Sequence, residues 1–336
     1  MTSSVDVSSP QAAPIAPSYA DPLPFFVALV GPTAVGKSAI AVELAKALGG
    51  EIVALDSMQV YRLLDIGTAK PSQGQQQGIS HHLLDVVDAA DPFTASDYGR
   101  LAGQVLREIH SRGRLPFVVG GSGLYLRALR GEIFAGPREI TSIRARLGQE
   151  VERGGPDVLH ARLNRLDPPT AARIHSRDSF RLIRALEIIE ATGKRVSDLW
   201  EAHRKGLVQP SILFLGLRRD RTVLYRRIND RVDRMLSSGL VAEVERLLEA
   251  GYPSTLKPFR SHNYRHIVAF LLGREDLEEA VRRTKQDTRR YAKRQMTWFR
   301  REKDMTWFDL TNAESERITE ALIGHIQGIR ERYGAA

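Results

Sequence analysis

The sequence contains no cysteine in 336 residues. Disulfides, thiolate metal sites and cysteine nucleophiles are therefore excluded, and the composition fits a reducing compartment, with the cytoplasm as the expected location. No apolar run reaches the roughly 20 residues that span a bilayer, so no membrane partner is expected. The first 24 residues are rich in Ser, Ala and Pro, with neither a basic start nor a long apolar stretch. They read as a disordered leader over 1–24 and not as a signal peptide. Their acids and the absence of arginine argue against a transit peptide.

What is present suits a globular chain with a sizeable core, since 42% of residues are hydrophobic and 26% charged. A length of 336 residues implies a core plus an insertion or second domain. The net charge of +9 is unevenly placed, with −2 in residues 1–135 and +11 in 136–336. A basic C-terminal part suits a polyanionic partner, although charge alone leaves nucleic acid and a mildly basic surface equally open.

The run from Phe25 to Val30, flanked by Pro24 and Gly31, has the form of a buried parallel strand. Helical spacing over 37–48 stops at Gly49-Gly50. Further strands are expected at Ile52–Leu55 and Pro116–Gly120, with a helix at about 95–112 between them. From 136 to 208 the pattern is helical and Arg-rich, and a strand returns at Ile212–Leu217. Residues 222–250, 262–272 and 276–302 read as helices. The expected fold is α/β: a P-loop NTPase-like parallel sheet flanked by helices, with an inserted all-helical subdomain. The core would span 25–135 and 209–336, and the insert 136–208.

The segment Gly31-Pro32-Thr33-Ala34-Val35-Gly36-Lys37-Ser38 fits the phosphate-binding pattern G-x-x-x-x-G-K-[ST] and lies between a strand and a helix, as that motif requires. Its glycines let backbone N–H groups curl around phosphate oxygens at a helix N-terminus. Lys37 supplies a point charge and Ser38 a hydroxyl ligand for Mg²⁺. Such a site takes a di- or triphosphate, nucleotide or not.

Asp56 ends a strand expected to lie beside the P-loop strand, at the carboxyl edge where α/β proteins bind ligands. Two roles are open to it: holding Mg²⁺ through a bound water, or acting as general base. Ser57, Met58, Gln59 and Tyr61 add groups at that edge. The third strand ends in Gly120-Gly121-Ser122, where a substrate can approach the backbone and Ser122 can point a hydroxyl inward. An energy-coupling ATPase would more often end this strand in an acid, and that acid is missing. Thr284-Lys-Gln-Asp287 has the form of a GTPase guanine-reading motif but lies inside a helical stretch, which disfavours a GTP switch. His81-His82 would point opposite ways in an extended segment, so metal chelation is set aside. Residues 282–303 hold ten Lys/Arg interleaved with Tyr291, Trp298 and Phe299, a surface able to track phosphates. The aromatics equally suit anchoring the helix to the core. The insert's Arg144, Arg146 and Phe180–Arg184 could form a lid over transferring phosphates or an RNA contact, and physics alone does not separate these.

Taken in order, GPTAVGKS (31–38), LDSMQVYRLLDIGTAKP (55–71), HHLLD (81–85), FVVGGSGLYLRAL (117–129), DSFRLIRALEI (178–188) and AKRQMTWFR (292–300) resemble the tRNA dimethylallyltransferase (tRNA isopentenyltransferase) family. The resemblance covers nearly everything after residue 25. It implies transfer of the dimethylallyl group of dimethylallyl diphosphate to N6 of the adenine 3′ of the anticodon, with Mg²⁺ assisting. It further implies that Gly31 to Ser38 cradle the donor's diphosphate, that Asp56 is the general base, and that Ser122 replaces the family's usual threonine. The family's tRNA-contacting segments fall on Asp56, Ser57, Met58, Gln59 and Ser122, on Arg144, and on Phe180, Arg181, Leu182, Ile183 and Arg184. They also fall on Arg260, Ser261, His262, Asn263, Tyr264 and Arg265. Asn263 stands where the family usually has Gly, and a left-handed backbone is expected there. The expected partners are a tRNA anticodon stem-loop and dimethylallyl diphosphate, and the expected state is a monomer. The rivals are a P-loop kinase acting on a small metabolite or nucleotide, which leaves 282–303 unexplained, and a non-catalytic RNA-binding protein, which intact Lys37 and Ser38 disfavour.

Overall fold

In the computed structural model, residues 22–134, 136–137, 139–205, 207 and 209–333 are described. The expected leader lies outside them except for its last three residues, and Leu23 packs on the core. The chain divides into two compact units, 22–130 with 209–333, and 131–207. The insert therefore begins at Gly131, five residues earlier than the sequence pattern suggests.

The larger unit is built on β1 (Phe26–Val30), β2 (Gly50–Leu55), β3 (His81–His82), β4 (Leu115–Gly120), β5 (Ile212–Arg218) and β6 (Thr306–Asp309). They form one parallel sheet in the order β3-β2-β4-β1-β5-β6. Its helices are α1 (Lys37–Leu48), the short α2 (Gln73–Gln76), α3 (Ala95–Ser111) and α4 (Gly123–Leu129) before the insert. The insert carries α5 (Thr141–Gly154), α6 (Pro156–Leu166), α7 (Pro168–Ala171), α8 (Ser179–Thr192) and α9 (Val196–Lys205). After it come α10 (Arg221–Ser237), α11 (Leu240–Glu249), α12 (Arg265–Leu271), α13 (Leu277–Phe299) and α14 (Ser315–Tyr333).

Both faces of the sheet are buried, because alternate strand residues enter separate cores. Phe26, Ala28 and Val30 of β1 join Val53, Leu55 and Val118 on one side. Val27 and Leu29 join Ile52, Phe117 and Val119 on the other. A two-residue side-chain period explains this division, and apolar residues at every position explain why the strands read as continuous runs. On the first face α3 presents Tyr98, Ala102, Leu106 and Ile109 at helical spacing. A Thr94–Asp97 capping box starts that helix. On the second face α1 packs with Leu322 and Ile326 of α14. The insert has its own core of Leu147, Leu159, Leu163, Leu182 and Leu186.

Several elements differ from the sequence reading. The single helix expected over 222–250 is two, broken at Gly239, whose φ of 96° ends α10 and starts α11. The short β3, α2 and α4, and the later β6 and α14, are additions. β6 is four residues long and only half-buried, so it lacks the apolar run that marked the four expected strands. Among the described residues, no helix is long and apolar enough to cross a membrane. Leu29 is fully buried at the centre of β1. Leu29→Ala should cost about 2–5 kcal/mol of stability through lost burial and the cavity left behind, measured by urea denaturation.

Candidate active site

The register sets the site. Val30 and Leu55 both pair with Gly120, so Gly31, Asp56 and Gly121 leave the carboxyl edge at one level. The sheet order corrects one expectation: β4 lies between β2 and β1, so Asp56 is not on the strand next to the P-loop strand. The strand order reverses direction around β1 and β4, where open α/β sheets form their ligand crevice.

Gly31 opens the P-loop with a φ of 151°, and a Cβ there would lie 2.5 Å from the carbonyl oxygen of Leu217. Glycine is therefore required by β5's close approach. Ala34 adopts a left-handed φ of 63° within the loop, a conformation an alanine holds only where its surroundings fix it. Arginines supply that fixing from outside. Arg227 Nε donates to the carbonyl of Ala34 (2.9 Å), and Arg219 Nε donates to that of Val35 (2.9 Å). Lys37 Nζ donates to the carbonyls of Gly31 (2.9 Å) and Pro32 (2.8 Å), so the ammonium sits inside the loop. Burial, and then the positive charge of Arg231, push the Lys37 pKa down to about 7, against an opposing pull from Asp56. Ser38 is exposed at the start of α1.

Asp56 Oδ1 accepts from the backbone N–H of Met58 (2.8 Å) and Gln59 (3.3 Å). Burial raises its pKa above the ordinary carboxylate value, while those two bonds, Arg231 and Lys37 pull the other way. Gln59 is locked by its side-chain amide, which donates to the carbonyls of Thr68 (3.2 Å) and Ala69 (3.1 Å).

Ser122 is buried, and its Oγ accepts from the N–H of Ser57 (3.2 Å). The side chains of Ser122 and Gln295 lie near the Tyr291 hydroxyl of α13 and restrain the rise that burial imposes on its pKa. Gln295 joins the two glycine-rich segments. Its Oε1 accepts from the N–H of Thr33 (2.8 Å), and its Nε2 donates to the carbonyl of Gly121 (3.0 Å). A Cβ on Gly121 would lie 2.1 Å from that Nε2. Thus α13's aromatics are neither simply core nor simply surface. Tyr291 is half-buried at the site, Trp298 half-buried beside it, and Phe299 buried.

The 260–265 segment lies in the same unit, beside α13. The His262 ring stacks on Tyr291 with centroids 4.5 Å apart, and burial holds its pKa down at about 4. Asn263 does not have the left-handed backbone expected of it. Its side chain acts instead: Nδ2 donates to the Gly67 carbonyl (2.7 Å), and Oδ1 accepts from Thr288 (3.1 Å). Tyr264 is 0% exposed and donates its hydroxyl to Glu243 at 2.7 Å, so its side chain offers nothing to an external partner. Arg265 is exposed and paired with Asp287. Arg260 is exposed, and Ser261 half-buried.

In the insert, Arg144 and Arg184 gather on the buried carboxylate of Glu187 (3.1 and 2.7 Å). Arg144 also lies over the Phe180 ring at 5.6 Å. Phe180 is 71% exposed, whereas Leu182 is 0% exposed and belongs to the insert's core. Arg181 is exposed, and Ile183 packs against that core.

The sequence did not single out Gln295 or Arg231. Gln295 is the one uncharged polar side chain in the Ala292–Gln295 motif, which was its available signal. Nothing local separates Arg231 from the six other arginines from Arg218 to Arg234.

The model of the family described as IPP transferase matches residues 59–302. The chain belongs to the IPP transferase family. It is 49% identical over 283 residues to a tRNA dimethylallyltransferase of Geobacter metallireducens, covering 84% of this chain and 92% of that one. The full-length tRNA isopentenylpyrophosphate transferase of Bacillus halodurans superposes with a TM-score of 0.69 at 41% identity, over 92% of this chain and 97% of that one. A eukaryotic dimethylallyltransferase solved acting on tRNA has a TM-score of 0.74 at 30% identity, covering 86% and 74%. These solved structures share the fold described above.

Gln295→Leu leaves the Thr33 N–H and the Gly121 carbonyl without partners. Stability should fall by about 1–3 kcal/mol in urea denaturation, and diphosphate affinity should fall with it. Lys37 binds an anion only when protonated. Above pH 7 the wild-type affinity for inorganic diphosphate should therefore fall relative to Lys37→Met, by up to about tenfold per pH unit, in calorimetric titrations.

Proposed function

We propose that this chain transfers the dimethylallyl group of dimethylallyl diphosphate to the exocyclic N6 of the adenine 3′ of the anticodon in tRNA. The observation that carries the reading is the meeting of a phosphate-binding loop, a half-buried carboxylate and a buried hydroxyl at one level of one sheet edge. Relatives that bear the name tRNA dimethylallyltransferase support it.

Adenine N6 is a weak nucleophile, because its lone pair is delocalised into the ring. As the C–N bond forms, the amine proton passes to the Asp56 carboxylate. The donor's C–O bond breaks, and diphosphate leaves with the electron pair. Loop amides and Lys37 stabilise the charge that develops on it. Burial raises the Asp56 pKa towards the working pH, which suits a base. Ser122, held by the Ser57 N–H, offers its hydroxyl at the reacting centre.

The residues present fit a Mg²⁺ ion. Ser38 is exposed beside the loop, and this ion is ordinarily held by few protein ligands plus substrate phosphates and water. When bound, Mg²⁺ would neutralise charge on the leaving diphosphate.

A groove of about 480 Å³ lined by Arg290, Lys293, Arg294, Thr297, Trp298 and Arg301 combines cations with an indole face, the chemistry of an unstacked RNA strand. Arg260 and Arg265 add exposed cations, and Gln59, Ser57 and Met58 line the edge next to Asp56. In the insert, Phe180 backed by Arg144 offers a second stacking surface. An adenine in the anticodon loop must leave its stack to reach Asp56, and an unpaired loop base does so at low cost. Loop, base and hydroxyl all come from a single chain, so the enzyme is read as a monomer acting in the cytoplasm. Mass spectrometry of nucleosides from unmodified tRNA incubated with dimethylallyl diphosphate and Mg²⁺ should show one added dimethylallyl group on adenosine. Asp56→Asn should lower that rate by about 10²–10⁴-fold. Absence of the product with wild type, or ATP-dependent phosphorylation of a small metabolite, would sink the reading.

A further inference from the structure

Glu243 of α11 is 3% exposed, yet its side chain is a carboxylate. Its partners are neutral donors from two segments far apart in sequence. Oε2 accepts from the N–H groups of Asp65 (2.9 Å) and Ile66 (2.7 Å). Oε1 accepts from the Gly67 N–H (3.1 Å) and the Tyr264 hydroxyl (2.7 Å). Three successive amides wrapped on one anion form a concavity that an amide side chain cannot satisfy equally, since half of its polar atoms are donors.

The turn held in this way continues into the site. The carbonyls of Thr68 and Ala69 receive the Gln59 side-chain amide, and Ala69 stands at a left-handed φ of 49°. Gln59 N–H in turn donates to Asp56 Oδ1. A continuous path of hydrogen bonds and short covalent links therefore runs from Glu243 through residues 65–69 to Gln59 and Asp56. On the other flank, Gly67 and Thr288 hold Asn263.

We propose that Glu243 is a positioning residue for the prenyl-transfer step, orienting Asp56 through the 65–69 turn and the Gln59 amide. This rests on Asp56 being the base. Glu243 touches neither reactant, and the P-loop is anchored independently by Arg219, Arg227 and Gln295. Its loss should thus slow the chemical step and leave donor binding alone.

The test is a double-mutant cycle on the single-turnover rate of dimethylallyl-adenosine formation, at saturating donor and tRNA. The full-length proteins are wild type, Glu243→Gln, Gln59→Leu and the double variant. Each single change should lower the rate about tenfold with donor KM unchanged. The double variant should also lose about tenfold, because both changes break the same path. An additive loss of about a hundredfold, a wild-type rate in Glu243→Gln, or a change confined to donor KM would each overturn the relay. If Glu243→Gln does not fold, Tyr264→Phe, which removes one of the four donors, replaces it in the cycle with the same criterion of non-additivity. An inactive wild type would overturn the functional reading and the relay together. An active wild type with additive variants overturns the relay alone.

Discussion

The side-chain amide of Gln295 ties the phosphate loop to the end of β4, just beyond the point where β1 and β4 pair. Its carbonyl oxygen takes the Thr33 N–H of the phosphate loop, and its nitrogen serves the Gly121 carbonyl at the end of β4. An amide can donate to one segment and accept from another with separate atoms, and at 7% exposure Gln295 leaves little room for water to take its place. The spacing between the diphosphate cradle and Ser122 is set through this group. From the same helix, one turn away, Tyr291 lies near Ser122 and stacks on His262. A single face of α13 therefore holds the donor loop, the hydroxyl and the edge of the 260–265 segment together.

Electrostatics follow from the same confinement. Lys37 and Asp56 face one another across the edge, each enclosed enough that burial is the leading influence on its titration. Burial moves the ammonium down and the carboxylate up, bringing both towards neutrality. Arg231 acts on both in one direction, lowering the lysine further and restraining the rise of the aspartate. On the function proposed above, a site that receives a multiply charged diphosphate and also accepts a proton gains from this arrangement. The cations restrain the rise that enclosure imposes on the carboxylate, and the enclosure keeps it more basic than an exposed one.

The sequence revealed the edge better than its wiring. Gly31 to Ser38 carries a pattern whose physical demands are local: a strand, a tight turn and a helix start. Asp56 and Ser122 were legible for the same reason, as polar residues that end apolar runs. Gln295, Arg231 and Glu243 act on partners more than 170 positions away in two cases and through space in the third, and no local periodicity encodes such contacts. Asn263 shows the opposite failure. A backbone argument drawn from residue type was defeated by a side chain with two partners, Gly67 and Thr288. Strand order was also out of reach, since β2 and β4 are equally apolar and only long-range pairing puts β4 beside β1.

Counting charges overstated what the basic half offers to a polyanion. In the insert, Arg144, Arg146, Arg162 and Arg184 are each bound to glutamates, chiefly Glu187, Glu150 and Glu190. Those arginines hold the helices of that unit in place, so much of their charge is already compensated. At the end of α13 and just beyond, by contrast, Lys293, Arg294, Arg300 and Arg301 are exposed, and among the described residues none forms an ion pair. Paired cations contribute little to counterion release, whereas unpaired ones contribute fully. Phosphate attraction is therefore concentrated along the helix that also carries Gln295 and Tyr291. The element that assembles the candidate site is also the one best charged to attract a polyanion.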